Sequence, residues 1–561
     1  MGSQESAQEG APGDSQTPTM LFDVLKTVAV HHCGGTGARL GRLAFPRQRQ
    51  RLPIDTPNFI AITSRGSVPH MTPDVVTRHT QLGGAYMALE DFVELSQKRK
   101  SPALYKVSTA LASGNENTTS PSSDKGPLHF YTATPPSQTV VLAARRHPAV
   151  TAPMGNGSDH VSLFTSTGFQ KLSVDDYCAA VRDVRPDVAV PLADLTYGYA
   201  ETGNRSSNPK RQIRMVERTE DWIAKFMTYA DLPRKDPAPA ASTSRVLDHT
   251  AVFAPTLPVP YPIQWDYLNR LAQDHRQHIS GLAVYDADIL ADLGDYPALT
   301  PLPRLSMDFF VTPQQILRQV QLGMDLFTVP FINTASDAGI AMTFQFLPPS
   351  PETETSSAGG GNDIEPLGID MWSDDHRVAV EPLLKGCTCY VCTKHHRAFL
   401  QHLLNAKEML GWTLLQIHNH HVMSQFFADI RKVLAEEQAA AAAPGTFEEH
   451  CRRFQLRYES ELPKGTGERP RARGYHFKAE AGQAKINKPA FQKYETADEG
   501  ANTGSNDANG SNEEDRALAG EQAGLAVTGA AADGAETPVV PEGDAGDLVK
   551  KGFAEVDVTK Q

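Results

Sequence analysis

Residues 386–392 read Gly-Cys-Thr-Cys-Tyr-Val-Cys. Three thiols at C-x-C and C-x2-C spacing can fold round one ion from a single tight turn, and zinc asks for four such ligands in a tetrahedron. Gly386 lets the backbone turn sharply, and Lys385 and Lys394 flank the turn with charge that favours thiolates. The fourth ligand must come from elsewhere, and His395, His396, His402, His418, His420 and His421 are the candidates. The segment 394–410 reads as a helix with Phe399, Leu400, Leu403 and Leu404 on its apolar face and Gly411 placed to end it. A hairpin return then brings 413–421 back beside the cysteines, which favours His418 and leaves the other histidines as helix surface or phosphate contacts. A shell of four protein ligands is closed, so this ion is structural rather than catalytic. The other cysteines, Cys33, Cys178 and Cys451, are scattered and read as buried or free thiols.

These residues sit in a chain of 561, enough for two to four domains or one large barrel with additions. An apolar fraction of 40% can supply a sizeable core. Mean hydropathy of -0.37 and the lack of a long uncharged apolar run argue against a membrane-spanning protein. Residues 1–18 are acidic and polar, without the marks of a secretory or mitochondrial leader, so a cytosolic or nuclear home is expected. In a reducing compartment, clustered cysteines point to metal rather than to disulfides. The net charge of -13 is concentrated. Residues 496–561 hold fourteen Asp and Glu against four Lys and Arg, so -10 belongs to the tail and about -3 to the rest. A nucleic-acid partner therefore remains open.

Residues 1–18 and 496–561 are too poor in apolar side chains to offset the entropy of ordering, and disorder is expected for both. Residues 112–127, 232–246 and 350–364 read as loops or insertions. Between them, short apolar runs at 59–63, 187–194 and 278–286 read as strands. Helical patterns run around Arg214–Tyr229 and Pro313–Leu322, and 413–419 reads as a short buried strand or loop before a helix starting near His420. This alternation favours an α/β fold with a parallel sheet.

The stretch 387–421 resembles the zinc-binding subdomain of the tRNA-guanine transglycosylase family. That family's pattern is C-x-C-x2-C with a His-Asn pair 26 residues after the last cysteine, and here that pair is His418-Asn419. The run from Arg397 to Gly411 between them also agrees. Residues 56–74, 185–200 with 216–226, 279–288 and 305–327 are similar to further segments of the family. The resemblance implies a (β/α)8 TIM-type barrel over residues 19–495, with a zinc subdomain inserted at about 380–435 and a disordered acidic tail. It implies one zinc ion held by Cys387, Cys389, Cys392 and His418. Chemistry would belong at the C-terminal face of the barrel strands.

Family enzymes exchange a guanine in tRNA for queuine or a related base through an aspartate nucleophile and a covalent glycosyl intermediate. Their G-x-D-x-F-D motif reads Gly323-Met324-Asp325-Leu326-Phe327-Thr328 here, so Thr328 occupies the nucleophile position. The following P-T-R becomes Ile332-Asn333-Thr334. The Asp-Ser-Gly-Gly motif of the second acid occurs nowhere in the chain. The F-D-E that reads the base becomes Leu192-Ala193-Asp194, and the Gly-Glu of the pocket loop becomes Tyr285-Asp286. No catalytic residue is therefore assigned.

The pattern resembles the non-catalytic, eukaryotic fungal-type members of the family. These pair with a catalytic homologue in the complex that installs queuine at the wobble position of tRNAs with GUN anticodons. The resemblance implies a heterodimer, tRNA binding, and a cytoplasmic location with peripheral contact at the outer mitochondrial membrane. Lys385, Lys394, Arg397, Lys407, Arg431, Lys432 and the basic run 464–478 are candidate phosphate contacts. Two other readings compete. One is an active transglycosylase using displaced acids, with Asp325, Asp308 and Asp286 as candidates. The other is a zinc-dependent nucleic-acid-binding scaffold unrelated to base exchange.

Overall fold

The computed structural model describes residues 18–28, 36–93, 102–112, 126–150, 155–165, 168–195, 208–233, 245–347, 364–439 and 446–470. The expected disorder of 1–17 and 496–561 lies outside these residues, as do most of the three expected insertions and the basic run beyond 470.

Three antiparallel strands open the chain, β1 (Leu21–Val28), β2 (Ala38–Ala44) and β3 (Ile54–Thr56). Eight parallel strands then close a barrel. In chain order they are β4 (Asn58–Ile62), β5 (Gly84–Ala88), β6 (Thr139–Ala143), β9 (Val188–Ala189), β10 (Ala251–Thr256), β11 (Gly281–Val284), β12 (Arg304–Ser306) and β13 (Leu326–Thr328), with β13 paired back to β4. A hairpin, β7 (His160–Thr165) and β8 (Gly168–Ser173), is inserted after β6. A second pair, β14 (Ile340–Met342) and β15 (Gly368–Asp370), follows the last barrel strand. The (β/α)8 barrel is thus present, with extra elements added at its ends.

The strands are short but buried on both sides, which explains why they read as apolar runs. Inward residues Ile60, Tyr86, Val141, Val188, Phe253, Leu305 and Leu326 fill the lumen, and Leu43, Phe45 and Ile54 join them from the N-terminal strands. Their neighbours Phe59, Ala61, Ala85, Met87 and Phe327 point outward into the larger core beneath the helices. The lumen is a packed core and not a channel.

Helix starts follow sequence signals. The helix Val174–Val184 begins at Ser173, whose hydroxyl accepts from the Asp176 backbone, and carries Asp175 and Asp176 in its first turn. Pro313–Gln321 starts with a capping box of Thr312 and Gln315 and Pro at the first position. Pro209–Asp231 starts from Asn208.

One expectation fails. Residues 413–419 are neither strand nor loop. They lie inside a 31-residue helix, Met409–Ala439, and Gly411 sits near its start instead of ending the helix before it. The preceding helix, Arg397–Asn405, ends in a turn with Lys407 at φ 57°. The long helix is apolar on most sides because it is covered on most sides. Trp412, Leu414, Leu415, Ile417, Val422, Phe426 and Phe427 are all buried, and a helix buried all round loses the 3.6-residue alternation. His420 stacks on Phe59, and Phe427 packs on Phe59 and Phe327, so this helix seals the β13–β4 seam. No described helix is long and apolar enough to cross a membrane.

Candidate functional site

The four predicted metal ligands converge. One donor atom each from Cys387, Cys389, Cys392 and His418 lies within 4.8 Å of all the others. A zinc ion with bonds of about 2.3 Å to sulfur and about 2.0–2.1 Å to nitrogen, at tetrahedral angles, sets nitrogen and sulfur about 3.6 Å apart. His418 Nδ1 is 3.5 Å from Cys389 Sγ, 3.5 Å from Cys392 Sγ and 3.9 Å from Cys387 Sγ. The donor set therefore has the size and chemistry of a closed tetrahedral zinc site.

Local structure makes the site. Gly386 has φ 80°, the left-handed conformation that turns the chain into the knuckle. Cys389 caps the short helix Tyr390–Lys394, its sulfur accepting from the Cys392 backbone N–H. The crowded donors compete for protons. Hydrogen bonds from Cys387 and Cys389 hold Cys392 well below the usual thiol range, while hydrogen bonds with Cys389 and Cys392 drive Cys387 up. Burial lowers His418, but hydrogen bonds to Cys389 and Cys392 more than offset it and push the imidazole up to about 9.

Behind the ligands stands a set of contacts that sequence reasoning missed. His418 Nε2 donates to the Met342 carbonyl at 2.9 Å, which leaves Nδ1 facing the sulfurs. Asn419 accepts from Met342 N–H at 2.8 Å and donates to Ser336 Oγ and the Ile340 carbonyl, both at 2.9 Å. The His-Asn pair thus ties the metal site to β14 and to the helix Phe331–Ala338. The only sequence signal was the adjacency of Asn419 to His418.

The other candidate histidines do not join the site. His420 is buried against Phe59 and hydrogen-bonds Gln416, and burial holds it down at about 3. His395 stacks on Phe399, and His396 caps the helix Arg397–Asn405. Among the candidate phosphate contacts, Arg397 pairs with Glu381, Lys407 with Glu468, and Arg431 donates to the Pro57 carbonyl. Lys385, Lys394 and Lys432 are exposed.

The barrel mouth is occupied by the protein itself. Thr328 shares the inward register of Leu326, is fully buried, and donates to the Ser306 carbonyl at 2.9 Å. Strands β6 and β12 stand opposite each other in the eight-strand ring. His147, just after β6, reaches the Asp308 carbonyl, just after β12, at 3.1 Å and so bridges the mouth. Burial lowers this imidazole to about 4, which leaves it a neutral N–H donor at physiological pH. Tyr285 packs against the lumen core.

The remaining acids are spoken for. Asp194 is fully buried between Arg211 at 2.7 Å and Arg218 at 3.1 Å, and accepts from Asn156 at 2.7 Å. Glu90 pairs with Arg146, which also reaches the Phe164 carbonyl of the inserted hairpin. Asp325 lies at the opposite, N-terminal end of β13, paired with Arg39 and accepting from the Arg304 backbone. Asp308 accepts from Gln319 and its neighbour's N–H, and Asp286 caps the 3-10 turn Ala287–Asp295. Asp91, after β5, accepts from the Arg65 N–H at 2.9 Å; its other oxygen, 3.8 Å from Arg146 Nε, is buried with no hydrogen-bond partner, and burial raises the carboxyl to about 6.

Comparison with known proteins agrees with this architecture. The family model for queuine tRNA-ribosyltransferase matches residues 33–458. A Schizosaccharomyces pombe protein named queuine tRNA-ribosyltransferase accessory subunit 2 is 33% identical over 447 residues, covering 78% of this chain and 86% of that protein. Proteins of the same name from Drosophila pseudoobscura pseudoobscura and Culex quinquefasciatus are 30% and 27% identical, covering 71% and 74% of this chain and 87% and 88% of their own lengths. The chain belongs to the queuine tRNA-ribosyltransferase family.

Proposed function

We propose that this chain is the non-catalytic subunit of a queuine tRNA-ribosyltransferase complex, pairing with a catalytic homologue and helping it to hold tRNA. The observation that carries the reading is the closed mouth at Thr328. A transglycosylase of this family needs an ionised carboxylate with open space in front of it. Here a neutral hydroxyl donates to a backbone carbonyl, fully buried, in a mouth bridged by His147. A threonine nucleophile needs an adjacent base, and its hydroxyl hydrogen is already committed. The names of the relatives point the same way.

In this reading the Cys387, Cys389, Cys392 and His418 site holds a structural zinc that fixes the subdomain facing the partner. A run of rings crosses that subdomain: His79 and Tyr390 at 4.3 Å, Tyr390 and His395 at 5.5 Å, His395 and Phe399 at 5.4 Å. Met409 and Leu410 add exposed apolar surface in the same subdomain. Aromatic and methionine side chains of this kind suit a protein interface. Lys385, Lys394 and Lys432 then offer charge to tRNA phosphates. We place the complex in the cytoplasm with peripheral contact at the outer mitochondrial membrane, and treat 19–495 as one barrel unit followed by an acidic tail.

Purified chain incubated with tRNA and labelled guanine should incorporate none. Adding a catalytic homologue should give incorporation. Sustained exchange by this chain alone would overturn the reading in favour of displaced acids.

A further inference from the structure

The match to the family ends at residue 458. There the chain leaves the helix Thr446–Arg457 and crosses the surface as a strap, residues 458–470. The root of the strap is fixed. The Glu459 N–H donates to the Glu365 carbonyl at 2.9 Å, Gln314 donates to the Glu459 carbonyl at 2.8 Å, and Leu462 packs against the main core.

The tip of the strap meets the metal-binding subdomain at two points. The half of that subdomain that carries the cysteines is entered through Asp370 and Trp372, after β15, and left at Lys407, before the long helix. Its helices Tyr390–Lys394 and Arg397–Asn405 pack on Met409–Ala439. At the entry, Asp370 is a shared node. One of its oxygens accepts the Trp372 backbone N–H at 3.1 Å, and the other accepts the Thr466 N–H and hydroxyl at 2.9 and 2.7 Å. The Trp372 indole donates to the Ala338 carbonyl at 3.1 Å. A side chain at Gly465 would collide with that carbonyl, and one at Gly467 with the Trp372 ring. At the exit, Lys407 pairs with Glu468 at 2.8 Å.

One short segment thus grips both ends of the cysteine half, and neither end can move without breaking a contact to it. The Lys407 to Glu468 pair and the Thr466 bonds lie in solvent, where each such contact is weak. The tip can therefore open while the root stays closed.

We propose that the strap is a clasp that holds the metal-binding subdomain in the orientation its partner binds. The proposal rests on the reading that this subdomain faces the catalytic homologue. A surface fixed in advance loses less freedom on association, so opening the clasp weakens assembly while the metal stays bound.

The test is hydrogen exchange on the full chain, followed by titration with the catalytic homologue. Thr466→Glu sets a carboxylate against Asp370 and opens the tip by like-charge repulsion. Amides of residues 371–378 and 405–411 should then exchange about fivefold faster or more, with the barrel strands unchanged. Trp372 emission should shift to the red, zinc content should be retained, and affinity for the homologue should fall about fivefold or more. Adding Asp370→Asn should reverse these changes, because the new amide donates to the new carboxylate and its oxygen still accepts from Trp372. Lys464→Gln, exposed on the same strap, should change none of them. Unchanged exchange in Thr466→Glu, exchange that rises throughout the barrel, or unchanged affinity for the homologue would overturn the proposal. A wild type that fails to associate at all would instead remove the functional reading, and the exchange result would still decide whether the clasp exists.

Discussion

Asn419 does more than its place beside a ligand suggests. Its amide is the shared partner of Met342 N–H, the Ile340 carbonyl and Ser336 Oγ, all behind the metal site. Asn419→Ala strands these buried groups, at about 1–3 kcal/mol each before relaxation, and frees the His418 backing. Zinc affinity, read by competition with a chelator, should fall about 10–100-fold. Cys389→Ser should lose the metal outright. A variant that kept full metal affinity would show that Asn419 does not support the site. Asp91 gives a pH prediction. Its folded value of about 6 lies above the ordinary aspartate value near 3.8. A raised carboxyl stabilises the fold below the unfolded value, and that contribution is lost as pH rises through about 6. The difference in unfolding free energy between Asp91→Asn and wild type should therefore grow by roughly 2.4 kcal/mol in favour of the variant from pH 4 to pH 7. A flat difference would place Asp91 in solvent. At this scale the sequence was most informative where spacing and residue type determine the chemistry, as at Cys387, Cys389 and Cys392. It was silent on Arg211 and Arg218 closing over Asp194, because contacts between distant segments leave no mark on local pattern.

The helix Met409–Ala439 shows where element reading fails. It delivers His418 and seals the β13–β4 seam, and this double burial erased the periodicity that would have shown it as a helix. Strands with both faces buried were easier, since β4 and β11 read directly as apolar runs. Residues 464–478 read as a basic run able to contact phosphate. Their described part, through residue 470, together with 458–463 after the helix Thr446–Arg457, also forms a strap. Thr466 donates to Asp370 from both its N–H and its hydroxyl, Lys407 pairs with Glu468, and Gln314 donates to the Glu459 carbonyl. A Cβ on Gly467 would fall within 1.9 Å of the Trp372 ring. Gly467→Val should therefore release the strap or overpack it, at about 1–3 kcal/mol, with a shift in Trp372 fluorescence. Unchanged emission and stability would mean that the strap does not dock there.

For the whole molecule, the barrel and the metal knuckle persist while the mouth has been filled. Tyr86 and Phe253 occupy the lumen, His147 spans it, and Thr328 is sealed beneath. Restoring one residue should not restore chemistry. Thr328→Asp places a carboxylate in a fully buried position, where the group neutralises or the fold suffers. That variant should lose several kcal/mol of stability and still exchange no guanine. The central claim is that the chain works only beside a catalytic homologue. Its most direct measurement is the initial rate of guanine exchange on tRNA, with the homologue fixed and this chain titrated in. The account predicts a rate that rises and saturates at an equimolar ratio, with wild type and His147→Ala equivalent and Cys389→Ser shifted to higher concentration. A rate proportional to this chain without saturation, or unchanged by its addition, would contradict it.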